Sequence, residues 1–299
     1  AYEIKECDWS SDVCSSDLGT FTSPELGLTT SYPAVFRTKD CTSPCTDKTS
    51  VTGVKWYVAF GSGAVGYLGG ISTTQASKMF VMNLASGATS TFSTGDNSAF
   101  MGDLASLDAD LDYRVDAVYG GNTIENSTGP KWTGKMYRLI TNQGSEDPTT
   151  WTGPHVLLAQ FTDKCRTWDA SPYPTAPCYG TGGPVTAGVG MAADDGSNIW
   201  IFWGTGRYFD PVGDKSDTTM QYYFGVKDPA PRDKTATAEK NNLLDVTQSV
   251  VCPTCSTVVT GVSGVTTFDG LESKIQGTGT VRSEEHTSEL QSHSFISYA

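Results

Sequence analysis

The densest run of ligand-type side chains in this sequence is DADLDYRVD, in which Asp108, Asp110, Asp112 and Asp116 fall at positions 1, 3, 5 and 9 of one short stretch. Alternate carboxylates in a tight loop aim hard oxygen donors at a common centre, and calcium takes about six to eight such oxygens. Without a cation the same carboxylates would repel one another. Arg114, at position 7, is expected to supply its backbone carbonyl, so the candidate metal set is Asp108, Asp110, Asp112, Arg114 and Asp116. The pattern departs from an EF-hand loop at two places: Tyr113 stands at the turn glycine and Tyr119 at the bidentate glutamate. Water or another loop must then complete the shell, and the expected affinity is weak, about 10⁻⁶ to 10⁻³ M. The competing reading of the same residues is a solvated, Asp-rich hairpin.

Other chemistries are poorly supported. Gly61, Gly63 and Gly66 in FGSGAVG have dinucleotide-binding spacing, but that site needs a helix to begin at the glycines, and GYLGGIS is a poor helix. His155 is the histidine available to a Ser-His-Asp or Cys-His catalyst, and no GxSxG-type motif accompanies it, so a structural role in a strand is expected. No catalytic residue is assigned. Asp194, Asp195 and Ser197 suit a hairpin turn, and Asp210, Asp214 and Asp217 suit a hydrated loop. Asn126-Ser127-Thr128 is a glycosylation sequon, which is weak evidence in isolation. Trp56, Trp132, Trp200 and Trp203 are expected in the core.

The elements that must position the Asp loop repeat along the chain. A first block reads SYPAVFRT, KWYVAFGSG, SKMFVMNLASG and TSTFST; a second reads GDLASLDAD, DYRVDAVYGG, GKMYRLIT and HVLLAQFTD. A third reads GPVTAGVGMAADDG, NIWIFWGTG and QYYFGVKD, with LLDVTQSVV as a possible fourth piece. Each piece is short, rich in β-branched and aromatic residues, and bounded by Gly, Asp, Asn or Ser, which predicts strands. One weak helix is predicted over 233 to 246. Four-stranded antiparallel units repeated every 40 to 60 residues or so predict an all-β chain built as β-propeller blades, with a β-sandwich as the alternative. Three blades do not close a ring, so the propeller is expected to be incomplete and the domain to extend beyond this sequence.

The two ends read differently from the middle. RSEEHTSELQS near the C-terminus and DWSSDVCSSDL near the N-terminus are consistent with one sequencing adapter translated from opposite strands, and the flanking AYEI and ISYA agree. Residues 1–18 and 282–299 are therefore expected to be artefact, leaving 19–281 as a partial propeller domain. The chain is acidic, with 33 Asp and Glu against 20 Lys and Arg, which argues against nucleic acid as a partner. No apolar run approaches the roughly 20 residues of a membrane span. Outside the terminal segments the cysteines form close pairs, Cys41 with Cys45, Cys165 with Cys178 and Cys252 with Cys255. Local pairing predicts disulfides in an oxidising compartment. For Cys252 and Cys255, in CPTC, zinc stays open as the alternative, although a structural zinc needs four ligands.

The order of GLTTSYPAVFRT, KWYVAFGSG, SKMFVMNLASG, LDADLDYRVDAVYGG, GKMYRLI and NIWIFWGTGRYFD resembles the propeller of the PilC/PilY family of type IV pilus proteins. The resemblance covers most of 26 to 228 and is most specific at the Asp-rich stretch leading into VDAVYGG and at WIFWGTGRYFD. It implies a secreted, non-enzymatic module in the periplasm, outer membrane or cell surface, at the pilus tip. Its implied partners are minor pilins or other tip subunits, with a host or surface ligand engaged through a separate N-terminal region. It implies a DxDxDxxxD calcium loop at Asp108, Asp110, Asp112 and Asp116, and a role in pilus extension, attachment and twitching motility. The rival reading is a quinoprotein dehydrogenase, also a propeller with calcium, but its vicinal cysteine pair and repeated tryptophan motif are not seen in this sequence. A glycan-hydrolysing propeller would need a convergent acid pair.

Overall fold

Runs in which Val, Phe, Tyr and Met alternate with small or polar residues become antiparallel strands in the computed structural model. It describes residues 23–28, 30–39, 53–128, 130–163, 178–194, 198–217, 219–228, 231–232, 243–252, 254 and 258–285. The first block forms a meander of β1 (Ala34–Lys39), β2 (Val54–Gly61), β3 (Ala76–Asn83) and β4 (Thr89–Asn97), hydrogen-bonded in that order. The second contains β5 (Ala99–Leu107), β6 (Ala117–Glu125), β7 (Trp132–Thr133), β8 (Met136–Ile140) and β9 (Thr152–Leu158), in the order β5-β6-β8-β9, with β7 paired to the end of β6. In HVLLAQFTD the strand breaks after Leu158. The remainder becomes β10 (Gln160–Asp163), which pairs with β11 (Cys178–Thr181) as a separate ribbon.

The third sheet departs from expectation at its edge. It begins with β12 (Gly190–Ala193), β13 (Ile199–Gly204) and β14 (Gln221–Asp228). The chain then makes β15 (Leu244–Asp245), β16 (Val250–Val251), β17 (Val259–Thr260), the helix α1 (Phe268–Thr278) and β18 (Thr280–Glu285). It is β18, not LLDVTQSVV, that pairs antiparallel with β14, and β15 adds in parallel to its outer side. A six-residue ladder outcompetes a two-residue one because each further pair adds backbone hydrogen bonds. The pairing continues into 282–285, within the stretch that reads as adapter; ladder bonds are made by backbone and accept any side chain. Of the predicted helix, 233–242 lie outside the described residues and 244–245 are strand. The helix α1 is marked instead by the Thr267 hydroxyl accepting from the Gly270 amide at 3.1 Å and by Gly279, left-handed at φ 63°, as its C-terminal stop.

The sheets stack through two apolar layers. Phe36, Tyr57, Ala59, Met79 and Val81 of the first sheet meet Leu104, Val118, Leu139 and Trp151. On the other side, Ala117, Tyr119, Met136 and Leu158 of the second sheet meet Ile199, Ile201, Trp203, Phe224 and Val226 of the third. The second sheet is thus buried on both faces: the first seven residues of β6 are all buried, Val118 facing one layer and Ala117 and Tyr119 the other. Trp132, Trp200 and Trp203 are buried as expected, whereas Trp56 is half exposed on the outward face of β2.

Polar ties cross both layers. Asp96 of β4 accepts from Lys135 Nζ at 2.5 Å, from Asn122 Nδ2 at 2.8 Å and from the Tyr137 hydroxyl. Across the other layer, Arg138 of β8 forms an ion pair with Asp228 at the end of β14, both side chains fully excluded from solvent, and the Tyr119 hydroxyl donates to Asp228 Oδ2 at 2.7 Å. Burial and the Asp228 charge hold the Tyr119 phenol well above its ordinary range, so it remains a donor.

The FGSGAVG glycines serve packing. A Cβ on Gly63 would lie 1.4 Å from the Leu28 carbonyl oxygen, and one on Gly61 would lie 2.3 Å from Met101 Cβ. The chain at 26–28 runs against this turn through Gly63 N to Leu26 O, 2.8 Å, and Leu28 N to Ala64 O, 2.7 Å. Gly63→Ala is expected to lower the unfolding free energy by roughly 1–3 kcal/mol, because backbone rather than a pliable side chain must move. An unchanged urea midpoint would show that residues 26–28 peel away at no cost.

Candidate metal centre

The Asp-rich stretch is the connection from β5 to β6, between the first two strands of the central sheet. Asp108 and Asp116 face each other across its base. Asp116 N donates to Leu107 O at 2.7 Å, and Asp116 Oδ2 accepts the Ala109 amide at 2.9 Å. Asp108 turns inward and accepts the amides of Asp112 at 3.1 Å and Tyr113 at 2.6 Å. Leu111 and Tyr113 both take left-handed backbone, at φ 56° and 68°. Tyr113 therefore adopts the conformation for which a glycine is usual at that loop position. It is held there by Arg37 of β1, whose Nε donates to Tyr113 O at 2.5 Å and whose guanidinium lies 4.9 Å from the ring centroid.

Ligand atoms of Asp108, Asp110 and Asp116 all come within 4.8 Å of one another. Two oxygens on one calcium at about 2.4 Å are at most about 4.8 Å apart, so these three carboxylates fit a single ion, and an all-oxygen donor set suits a hard cation. Asp112 is placed differently. Its carboxylate pairs with the side chain of Arg114, at 2.6 Å to Nε with a second contact to Nη2, and accepts the Arg114 amide at 2.9 Å. Arg114 thus enters the loop through its guanidinium, which neutralises a carboxylate.

The electrostatics separate the four acids. Burial pushes the Asp116 carboxyl up to about 6, against the Ala109 amide and the nearby Arg232 charge, which favour the ionised form. Burial also raises Asp108, its two amide donors offsetting part of the effect. Asp112 would be raised by burial, but Arg114 outweighs that and holds it below the ordinary carboxylate range. The cluster is anionic, and at its buried end, where Asp116 is 1% exposed, Arg232 is the positive partner.

Two participants were invisible as motifs. Arg37 lies on the neighbouring sheet, and Arg232 lies far along the chain in the turn after β14; neither is near the Asp residues in sequence. Other acidic groups do local work: Asp214 accepts the Phe209 and Asp210 amides and pairs with Arg207 at 2.8 Å, and Asp194 caps its hairpin through Asn198 and Trp200. Asn126 Nδ2, the sequon nitrogen, donates to Pro130 O and Thr133 Oγ1. His155 lies in β9 opposite Arg138, where burial and the arginine charge lower its pKa, an environment of a packed strand residue. Each predicted cysteine pair has at least one member outside the described residues.

No family profile matches the sequence, and no curated protein is recognisably similar to it. Among solved structures, the chain is similar to the crystal structure of the Pseudomonas aeruginosa PilY1 C-terminal domain, with a TM-score of 0.47 and 16% identity over 74% of this chain. The match spans 42% of that structure, less than half its length.

Proposed function

We propose that this chain is a non-enzymatic, calcium-binding part of a β-propeller in a type IV pilus assembly and adhesion protein, acting in pilus extension and surface attachment or twitching motility. The observation that carries the reading is the convergence of Asp108, Asp110 and Asp116 within 4.8 Å on the β5–β6 connection, inside the DxDxDxxxD stretch on which the family resemblance is most specific. Three face-packed sheets built from successive sequence blocks support blades, with the Asp loop at one end of the central one.

On this reading the ion is structural and regulatory. Calcium supplies positive charge among the carboxylates, while Asp108 and Asp116 hold the loop through their amide bonds and Arg37 fixes its outer turn. The ordered loop then presents a surface to minor pilins or other tip subunits, outside the cytoplasm. Disulfides at Cys41–Cys45, Cys165–Cys178 and Cys252–Cys255 belong to the same proposal.

The test is calcium titration by calorimetry, followed by complementation of a twitching-defective strain with the full gene. A dissociation constant of about 10⁻⁶ to 10⁻³ M is expected. A folded protein that takes up no calcium would reduce the loop to a hairpin.

A further inference from the structure

A positively charged group already occupies the open side of the Asp cluster. From the turn after β14, Arg232 Nε donates to Asp116 Oδ1 at 3.1 Å, and Nη1 lies 2.9 Å from Asp110 Oδ2. The guanidinium forks across two of the three carboxylates that converge, and it comes from a different sheet than the loop it clasps. Arg114 cannot substitute for it, being committed to Asp112. The Arg232 side chain is 38% exposed, so it has an open path to water.

We infer that Arg232 is the built-in counter-ion of this cluster and that a divalent cation binds by displacing it, breaking the tie between Arg232 and the β5–β6 connection. The inference rests on the metal reading given above. A dication within bonding distance of Asp110 and Asp116 would stand only a few ångströms from the guanidinium, and their repulsion there is of order several kcal/mol before screening. Both cannot keep the same two oxygens. Asp228 stays fixed by its buried pair with Arg138, so β14 keeps its place when Arg232 leaves. Site occupancy is thereby converted into a change at a segment remote from the loop in sequence, which is what a calcium-responsive surface requires.

Arg232→Gln and Arg232→Lys separate this device from a general charge effect. Lysine keeps the charge but cannot fork across two carboxylates. If the fork must be displaced, both variants bind calcium more tightly than wild type, by at least about 2-fold for glutamine, since one pair is exposed and the other reaches a buried carboxylate. Lysine would then fall between glutamine and wild type. In wild type, the Arg232 Nε–H resonance should be protected without calcium and lose protection on titration. Lysine matching wild type, together with an Nε–H signal unmoved by bound calcium, would overturn the inference while leaving the metal reading intact. Binding by Arg232→Gln but not by wild type would support it in its strongest form. No binding by either protein, with near-ultraviolet circular dichroism showing both folded, would remove the metal reading and this inference together.

Discussion

Asp228→Ala is expected to lower the unfolding free energy by about 3–5 kcal/mol, enough to threaten folding at physiological temperature. A guanidinium does not give up its proton in proteins, so burial cannot be relieved by neutralising it. The Arg138 side chain is fully excluded from water, as is that of Asp228. Removing the carboxylate therefore leaves a buried cation without its counter-charge and takes the acceptor from the Tyr119 hydroxyl. Asp228→Asn should cost less, because an amide oxygen can still accept one of those bonds. The double variant Arg138→Met, Asp228→Leu should recover much of the loss, because an apolar pair avoids desolvating either charge. Urea denaturation of Arg138→Met, Asp228→Leu and the double variant beside wild type closes a double-mutant cycle. A loss below about 1 kcal/mol for Asp228→Ala would mean that Arg138 finds water in the variant.

The second large effect concerns calcium. Asp110→Ala should weaken binding by at least about 100-fold, since even groups outside the coordination shell cost about 10- to 100-fold when removed. Asp112→Ala should change it by less than about 5-fold, because that carboxylate is spent on Arg114 and a charge so neutralised acts weakly at a distance. Asp110 is the informative choice because it is exposed, so its replacement leaves the fold alone, whereas Asp116 is buried at the base of the loop. Calorimetry on both variants gives the ratio. Equal losses would mean that the loop rearranges around the ion and brings Asp112 into the shell.

That contrast shows how far residue spacing can be read. The spacing of DADLDYRVD makes four carboxylates look equivalent, as they would be on an extended strand where alternate residues share a face. The left-handed turns at Leu111 and Tyr113 break that periodicity and send Asp112 back toward Arg114. The strands were legible for the opposite reason: in β2 the period-two pattern survives because it buries Tyr57 and Ala59, and β13 reads as an apolar run because both of its faces are covered. The edge of the third sheet was not, since nothing local in TVRSEE says that it will pair with QYYFGVKD. Arg37 and Arg232 reach the Asp loop only through tertiary structure, and a lone arginine carries no pattern.

The first two sheets are each laid down by consecutive stretches of chain, whereas β14 meets its neighbour β18 only after β15, β16, β17 and α1 have intervened. Contacts between distant segments form late, because the intervening chain must be ordered first. A nascent or refolding molecule therefore passes through a stage in which β14 offers an unpaired edge carrying Tyr222, Phe224 and Val226. Such an edge recruits strands from other molecules. Aggregation during refolding should begin there, and a chain cut short before β18 would carry that edge permanently.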